Sequence, residues 1–369
     1  MFVDHLRPRH HAVRDLMILA LALLPLLGAA GTAVAGSEER KGTGGAHELK
    51  IPVGPRGTAL GGTTVGDVEG VEAIFWNPAG LGAVQGTEAV FSHTKYFAEQ
   101  KLNFAAVATK LGDAAVIGLN AKVLSIGDVI VTTEDAPEGT GDIIEPTFAV
   151  LGLTLARQFT DRVRAGFTVN YVNEKIINVS ANGVAFDFGV QYLTGWRGMK
   201  LGMAMKNFGT SMQFDGGDFE LSTRPPDQDP SAANRTFRST SSAFEMPSYF
   251  TLAATYDVYS APQYRLTFLG AFQNNNFEGD NMTGGLEWSY KNTFALRGSY
   301  FGSIINRVDA VTGQDVGEIN GGDDLYKGIA FGAGAKVQSG NTNIAVDVAW
   351  RPVRNFFDDT VEVGLRLSF

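Results

Sequence analysis

The chain has 369 residues, a net charge of −9 and no cysteine. The acidic balance argues against nucleic-acid binding, which wants a basic face. Without Cys there is no disulfide framework, thiolate metal site or lipid-anchored N-terminal Cys, and 45 glycines with 25 phenylalanines point to an all-β protein.

The first element is an export signal. Arg7, Arg9 and Arg14 precede an apolar run, Leu16 to Leu27, and Ala33-Val34-Ala35 fits a small-x-small cleavage site. Residues 1–35 read as a secretory signal peptide cut after Ala35. The alternative is a retained membrane anchor, against which stand the shortness of the run and Pro25. Residues 36–45 are polar and Gly-rich and read as a flexible segment.

Residues 46–87 form the next unit. Six glycines between Gly54 and Gly70 permit tight turns and close approach. Ile51, Leu60, Val71, Ile74, Phe75 and Trp76 argue against a merely flexible leader. Within Phe75-Trp76-Asn77-Pro78-Ala79-Gly80, Asn77 is a favoured N-cap and Pro78 suits the first helical position. The expectation is a short helical turn closed by Gly80 or Gly82 and anchored by Phe75 and Trp76.

From residue 88 the pattern has period two. Val163, Ala165, Phe167, Val169 and Tyr171 alternate with Arg162, Arg164, Gly166, Thr168 and Asn170. About fourteen such segments follow one another, near the length a tilted membrane-spanning strand needs. Their connections alternate between tight turns and longer polar loops, among them Gly127–Ile144, Gly209–Met246 and Gly302–Tyr326. That is the pattern of an outer-membrane barrel, and it places both termini on the turn side. The chain ends on Val361, Val363, Leu365, Leu367 and Phe369 alternating with polar or small residues. A soluble β-sandwich is the competing fold. The reading is an all-β, antiparallel transmembrane β-barrel of about 14 strands with an N-terminal lumenal hatch. Residues 88–369 form the wall. Arg164, Asp187, Arg265, Glu287, Arg297, Lys336, Asp347 and Arg366 fall on the inward face, where both signs suggest pairing across the lumen, satisfying one another and the buried plug in preference to forming a dedicated ion path.

The run Pro55-Arg56-Gly57-Thr58-Ala59-Leu60-Gly61-Gly62, followed by Ala73-Ile74-Phe75-Trp76-Asn77-Pro78-Ala79-Gly80-Leu81, resembles the N-terminal signature of PorV/PorQ-type proteins within the FadL superfamily. Met246-Pro247-Ser248-Tyr249-Phe250 and the aromatic ending also fit, so the similarity spans the mature chain. The resemblance implies a fourteen-stranded outer-membrane barrel with an N-terminal hatch. It implies either a type IX secretion component that receives cargo, or uptake of long-chain fatty acids or other hydrophobic molecules through a hatch rearrangement, as in FadL. No motif outside the hatch matches the FadL ligand pocket, so none of its residues is carried over. The C-terminal strand, Val361 to Phe369, resembles the recognition signal read by the barrel-assembly machinery.

An enzymatic barrel is the main competitor from another class. Ser92 and His93 are neighbours on one strand and point to opposite faces, and neither G-x-S-x-G nor H-E-x-x-H occurs. Asp309, Asp315, Glu318, Asp323 and Asp324 lack the spacing of a calcium loop and read as a solvated acidic loop. The sequence reading is therefore a non-enzymatic barrel with no catalytic residue, metal or cofactor. Its expected partners are outer-membrane lipid, a hydrophobic small molecule in the lumen or secretion-machinery proteins, and the assembly machinery during insertion. A plain diffusion porin is the remaining alternative. The channel reading predicts an apolar pocket near Phe75 and Trp76.

Overall fold

The structure, a computed structural model, describes residues 40, 42–112, 115–224, 233–308, 315–321, 325–354 and 357–369. Residues 1–39, the stretch 225–230, and Asp309, Asp323 and Asp324 lie outside them. The wall consists of fourteen antiparallel strands. They are β1 Thr87–Lys95, β2 Lys101–Leu111, β3 Ala115–Ser125, β4 Thr147–Gln158, β5 Val163–Ile176, β6 Val179–Leu193, β7 Lys200–Gly209, β8 Tyr249–Ser260, β9 Tyr264–Asn275, β10 Asp280–Tyr290, β11 Phe294–Val308, β12 Ile329–Ser339, β13 Thr342–Arg351 and β14 Thr360–Ser368. Each strand pairs with its neighbours in sequence. Pairing of β1 with β14, from Glu88↔Ser368 to Lys95↔Val361, closes the ring. Closure gives every wall strand two partners, which satisfies the backbone where water is absent.

Alternation produces the two faces. On β4, Leu151, Leu153 and Leu155 are exposed while Val150, Gly152, Thr154 and Ala156 are buried. On β14, Val361, Val363 and Leu365 are exposed and Glu362 and Gly364 buried. Phe91, Leu119, Phe188, Leu286, Leu296 and Val346 continue an apolar belt that faces outward around the wall. A belt of this extent is a lipid-facing surface. Aromatic side chains cluster towards strand ends: Tyr264, Trp288 and Tyr290 near the turns, and Phe331 stacked on Trp350 near the loops, with ring centroids 5.9 Å apart. Such girdles suit the headgroup region. No helix among the described residues is long and apolar enough to cross a membrane.

The connections differ in detail from the expected polar loops. Strand β11 runs on to Val308, and its extension pairs with Asp315–Gly321 from Ser303↔Asn320 to Val308↔Asp315. Asp315 and Glu318 thus lie on a paired strand within that connection. Short pairs Val129–Ile130 with Ile143–Ile144, and Glu220–Thr223 with Arg235–Arg238, occupy two further loops. Two of these pairs are only two to four residues long, too short for an alternation to show, which hides their pairing in the sequence. At the opposite end the connections are tight. Lys291 and Asn292 both take positive φ, 51° and 52°, and Thr293 N–H closes the turn on Tyr290 O at 2.9 Å.

Residues 46–86 do not join the wall. They fill the lumen with short helical pieces: His47–Lys50, α1 Pro55–Ala59, Thr63–Gly66, α2 Ala73–Trp76 and Pro78–Ala83. The wall is entered at the turn end, where Phe369 N–H bonds Thr87 O at 2.9 Å. The start of the described chain is at the other end. Arg40 pairs with Glu245 at 2.9 Å and bonds Asn276, and Lys50 pairs with Glu278 at 2.6 Å, all in loop-end connections. Both termini were expected on the turn side. Phe369 is there, but the chain at residue 40 lies at the loop mouth, because the plug traverses the barrel before the first strand begins.

Candidate functional site

The lumenal plug and the wall residues that hold it are the candidate site. Asn77 is its central joint. It caps α2 and starts the next helix, with its Oδ1 accepting from Ala79 N–H at 3.1 Å. Its Nδ2 donates to Val65 O at 2.7 Å within the plug and to Val190 O at 3.2 Å on β6. Pro78 occupies the first helical position as expected. The helix is of the tighter, three-residue type and continues to Ala83, so Gly80 and Gly82 lie inside it and do not close it. They are there for room. Gly80 packs on Val68 O and Ala73, and Gly82 on the β4 backbone at Arg157.

Phe75 and Trp76 divide their work. The Trp76 ring lies over Gly57 and Gly62, inside the plug, and meets Phe75 edge-on at 5.0 Å and 88°. Phe75 looks outward to the wall, with the Lys122 ammonium 4.7 Å and the Lys206 ammonium 5.3 Å from its ring centre. The pocket at Phe75 is of mixed character where an apolar one was expected. Lys122, Asn120, Asn170, Asp187, Lys206 and Asn207 line it with Leu49, Ile74, Phe104 and Val150. Its free volume is about 20 Å³, room for a water molecule and not for an organic ligand.

One side of that pocket is a break in the ladder. Register shifts between Phe186↔Phe208 and Phe188↔Met205, so Lys206 and Asn207 both oppose Asp187. Asn207 takes φ 58°, and its backbone N–H and the Lys206 ammonium both donate to Asp187, at 2.7 and 2.6 Å. A bulge of this kind re-aims side chains. Here it turns a lysine and an asparagine together towards the plug, next to Phe75.

The inward charges pair along the wall and with the plug, not across an open lumen. Arg56 on α1 bridges Asp67 at 2.8 Å and Glu287 of β10 at 2.9 Å. Glu287 also accepts from Arg297 of β11 at 2.7 Å, and Arg297 bonds Asp347 of β13. Nearer the turn end, Glu69 of the plug takes Arg164 at 2.8 Å and Lys200 at 3.0 Å. Burial pushes the Glu69 carboxyl up, but Lys200 and Arg164 outweigh it and hold it below the usual range. Arg366 faces Glu72 at 3.6 Å. Arg265 and Lys336 share the inward parity but lie exposed near the turn end of β9 and β12; Arg265 bonds the turn residue Asn292, at 3.4 Å.

Other contacts were not singled out from the sequence. Glu362 of β14, fully buried, accepts from Gly54 N–H and Thr58 Oγ1, both at 2.6 Å. Gln191 Nε2 donates to Val68 O at 2.9 Å. Inward-facing wall glycines seat the plug: Gly118 lies under Ile74 and Leu81, Gly166 under Pro78, Gly189 under Asn77, and Gly202 under Val65. A glycine on the polar face of an alternating strand was the available signal, since it marks where another backbone approaches closely. Leu367 is half-buried and Phe369 exposed at the turn end of the closing strand. Ser92 is buried inward and His93 exposed outward, bonded to Asn103 at 2.8 Å, so the two cannot act as one pair.

No protein-family model matches the chain, and no curated protein sequence matches it. Solved structures do. A CymD monoaromatic hydrocarbon channel superposes with a TM-score of 0.54 at 10% identity, covering 86% of this chain and 98% of that one. The Pseudomonas putida toluene transporter TodX superposes at 0.50 and 13% identity, covering 85% and 96%. A deltaS2S3 mutant of the TodX monoaromatic hydrocarbon channel gives 0.51 at 13% identity, covering 86% and 98%. At these identities the likeness establishes the fold: a closed barrel of nearly the same extent as each of those chains.

Proposed function

We propose that this protein is a bacterial outer-membrane channel that admits hydrophobic small molecules through a gated lumen. The observation that carries this reading is the plug. It stands in the lumen and leaves about 20 Å³ in the pocket beside Phe75, yet buried ion pairs and seats on glycine join it to the wall, and no covalent bond does. An always-open diffusion pore has no use for such a filling. A structure that must open for cargo does, and its opening is a rearrangement of residues 46–86. The fold-level likeness to hydrocarbon channels supports the class of cargo as an analogy. The closed antiparallel wall and its outward apolar belt support the outer-membrane location.

The test uses toluene as the probe. A host lacking its own hydrocarbon channels, expressing this chain, takes up labelled toluene faster than the same host with an empty vector. A variant whose plug is fixed to the wall by an engineered disulfide between plug and β6 loses that gain and recovers it on reduction. Uptake equal to the empty vector refutes the reading.

A second reading, a secretion-associated barrel of the PorV/PorQ type, draws support from the leader motif and from the loop end. There Ile130, Ile143, Leu221 and Phe237 stand exposed on short hairpins, as a protein-docking surface would. It predicts recovery of a stoichiometric protein partner with the barrel from its own membrane, and toluene uptake at the empty-vector level.

A further inference from the structure

The plug begins with a strap at the loop mouth whose anchoring is unlike the rest. Ala46 and Leu49 bury against Val150 and Val172 of the wall and against Met212 and Met246 of the long loop. Gly45 N–H bonds Glu245 O at 3.0 Å, and Gly44 bridges the same residue. Between the two apolar anchors stands Glu48, 3% exposed, with neither carboxylate oxygen receiving a hydrogen bond. The group facing it is a second buried carboxylate, Glu174 of β5. The other charged groups around the pair are Lys122 on β3 and His47 on the strap itself. Lys122 does not bond Glu48; its ammonium donates to Ile51 O at 2.6 Å. Ala46 holds a left-handed conformation, φ 52°, that costs a non-glycine residue energy.

Two buried carboxylates side by side are most stable while they share a proton, since two charges there would repel, and the Ala46 backbone at Glu174 and the nearby Lys122 and His47 offset only part of that cost. We propose that residues 46–51 form a proton-dependent strap: with Glu48 protonated the strap stays docked at the loop mouth, and loss of that proton releases it. The inference concerns the strap alone and stands whatever the barrel carries.

The direction of the effect follows from linkage. Burial, and after it the Glu174 charge, push the Glu48 carboxyl from the usual carboxylate range up to about 8 in the docked state. A released, solvated strap titrates near the ordinary value of about 4.5. The docked state therefore holds more protons between those limits. Docking is strongest at acid pH, weakens as pH rises through this window, and levels off above about 8. Release leaves the inner plug seated, because Asn77, Arg56 and Glu362 hold it independently.

Hydrogen exchange on the purified full chain reads this directly. The Leu49 and Ile51 amides, bonded to Ala46 O and Glu48 O, report the strap, and the Gly80 and Val84 amides report the inner plug. After correction for intrinsic exchange, strap protection should fall between pH 5 and 8, by at most about tenfold per pH unit, while inner-plug protection stays level. Glu48→Gln cannot ionise and should abolish the slope. Glu174→Gln, able to donate to Glu48, should move the fall to lower pH, and His47→Gln should leave it in place. The same slope in Glu48→Gln as in the parent chain, or inner-plug protection falling together with the strap, overturns the proposal.

Discussion

Arg56→Leu is the sharpest perturbation of the plug. The guanidinium is the one group that touches both plug and wall acids in its network, pairing with Asp67 and Glu287 at 2.8 and 2.9 Å. All three side chains are nearly buried, with 16%, 12% and 10% exposure. Removing one partner of a buried pair costs about 3 kcal/mol, most of it from the charge left behind. Glu287 keeps Arg297, so the orphan is Asp67. Leucine restores part of the buried volume, which makes charge the main loss. A destabilisation of about 3 kcal/mol raises the population of the displaced plug by about two orders of magnitude. Planar-bilayer recording of the purified protein should then show frequent openings where the parent chain is closed, and trypsin should cut within residues 46–86. The wall pairs strand to strand without Arg56, so the heat-modifiable electrophoretic shift of an intact barrel should be unchanged. Arg56→Leu with Asp67→Leu removes the orphan and should recover part of the closure. Closed recordings and unchanged proteolysis for the single variant would refute the idea that this network latches the plug.

Asn77→Ala deletes the bonds to Val65 O, Val190 O and Ala79 N–H in a fully buried place. Unsatisfied backbone groups there should cost about 2 kcal/mol, seen as increased conductance and proteolysis with the wall intact; an unchanged channel would make the residue an ordinary turn former. Gly189→Ala places a methyl within 2.9 Å of Pro78 Cδ and closer still to Asn77. The seat cannot accept it, so this conservative change should open the channel more than Gly284→Ala on β10, where nothing lies within 4 Å. Acid should act at the turn end: Lys200 and Arg164, against the effect of burial, hold Glu69 below the usual carboxylate range, so its clamp is present above about pH 4.5 and is lost as pH falls further. Glu69→Gln should remove that acid response from the exchange of neighbouring plug amides.

The wall was legible because lipid outside and a polar interior impose period two on every strand. Leu151, Leu153 and Leu155 against Gly152 and Thr154 carry the inference by themselves. Asn77-Pro78 was legible as a cap for the same reason that it works, its side chain chemistry being local. What the plug touches was not. Arg56 lies 231 positions from Glu287, and nothing along the chain couples them. The bulge at Lys206-Asn207 inserts one residue into a regular alternation, and the alternation continues on either side without comment. The course of the plug misled the placement of the N-terminal segment, since strand counting fixes where the wall begins and ends but not which mouth the chain comes from.

That course has a consequence for gating. The chain passes from the loop mouth at Arg40 to the turn end at Glu69, climbs back to Phe75 beside Lys122, and descends again to Gly86. Each end is held by chemistry of opposite proton dependence: a buried carboxyl pair at the loop mouth and a lysine–arginine clamp on Glu69 at the turn end. Between them lie the latch at Arg56 and the joint at Asn77, which depend on neither. A plug built this way need not leave the barrel as one body. Loosening the strap removes Leu49 from the rim of the pocket at Phe75 and opens that pocket towards the loops, while Asn77 still closes the turn side. Loosening the Glu69 clamp does the reverse. Passage of a molecule then requires the two ends to open in succession, and the middle joint decides whether a path through the barrel is ever continuous.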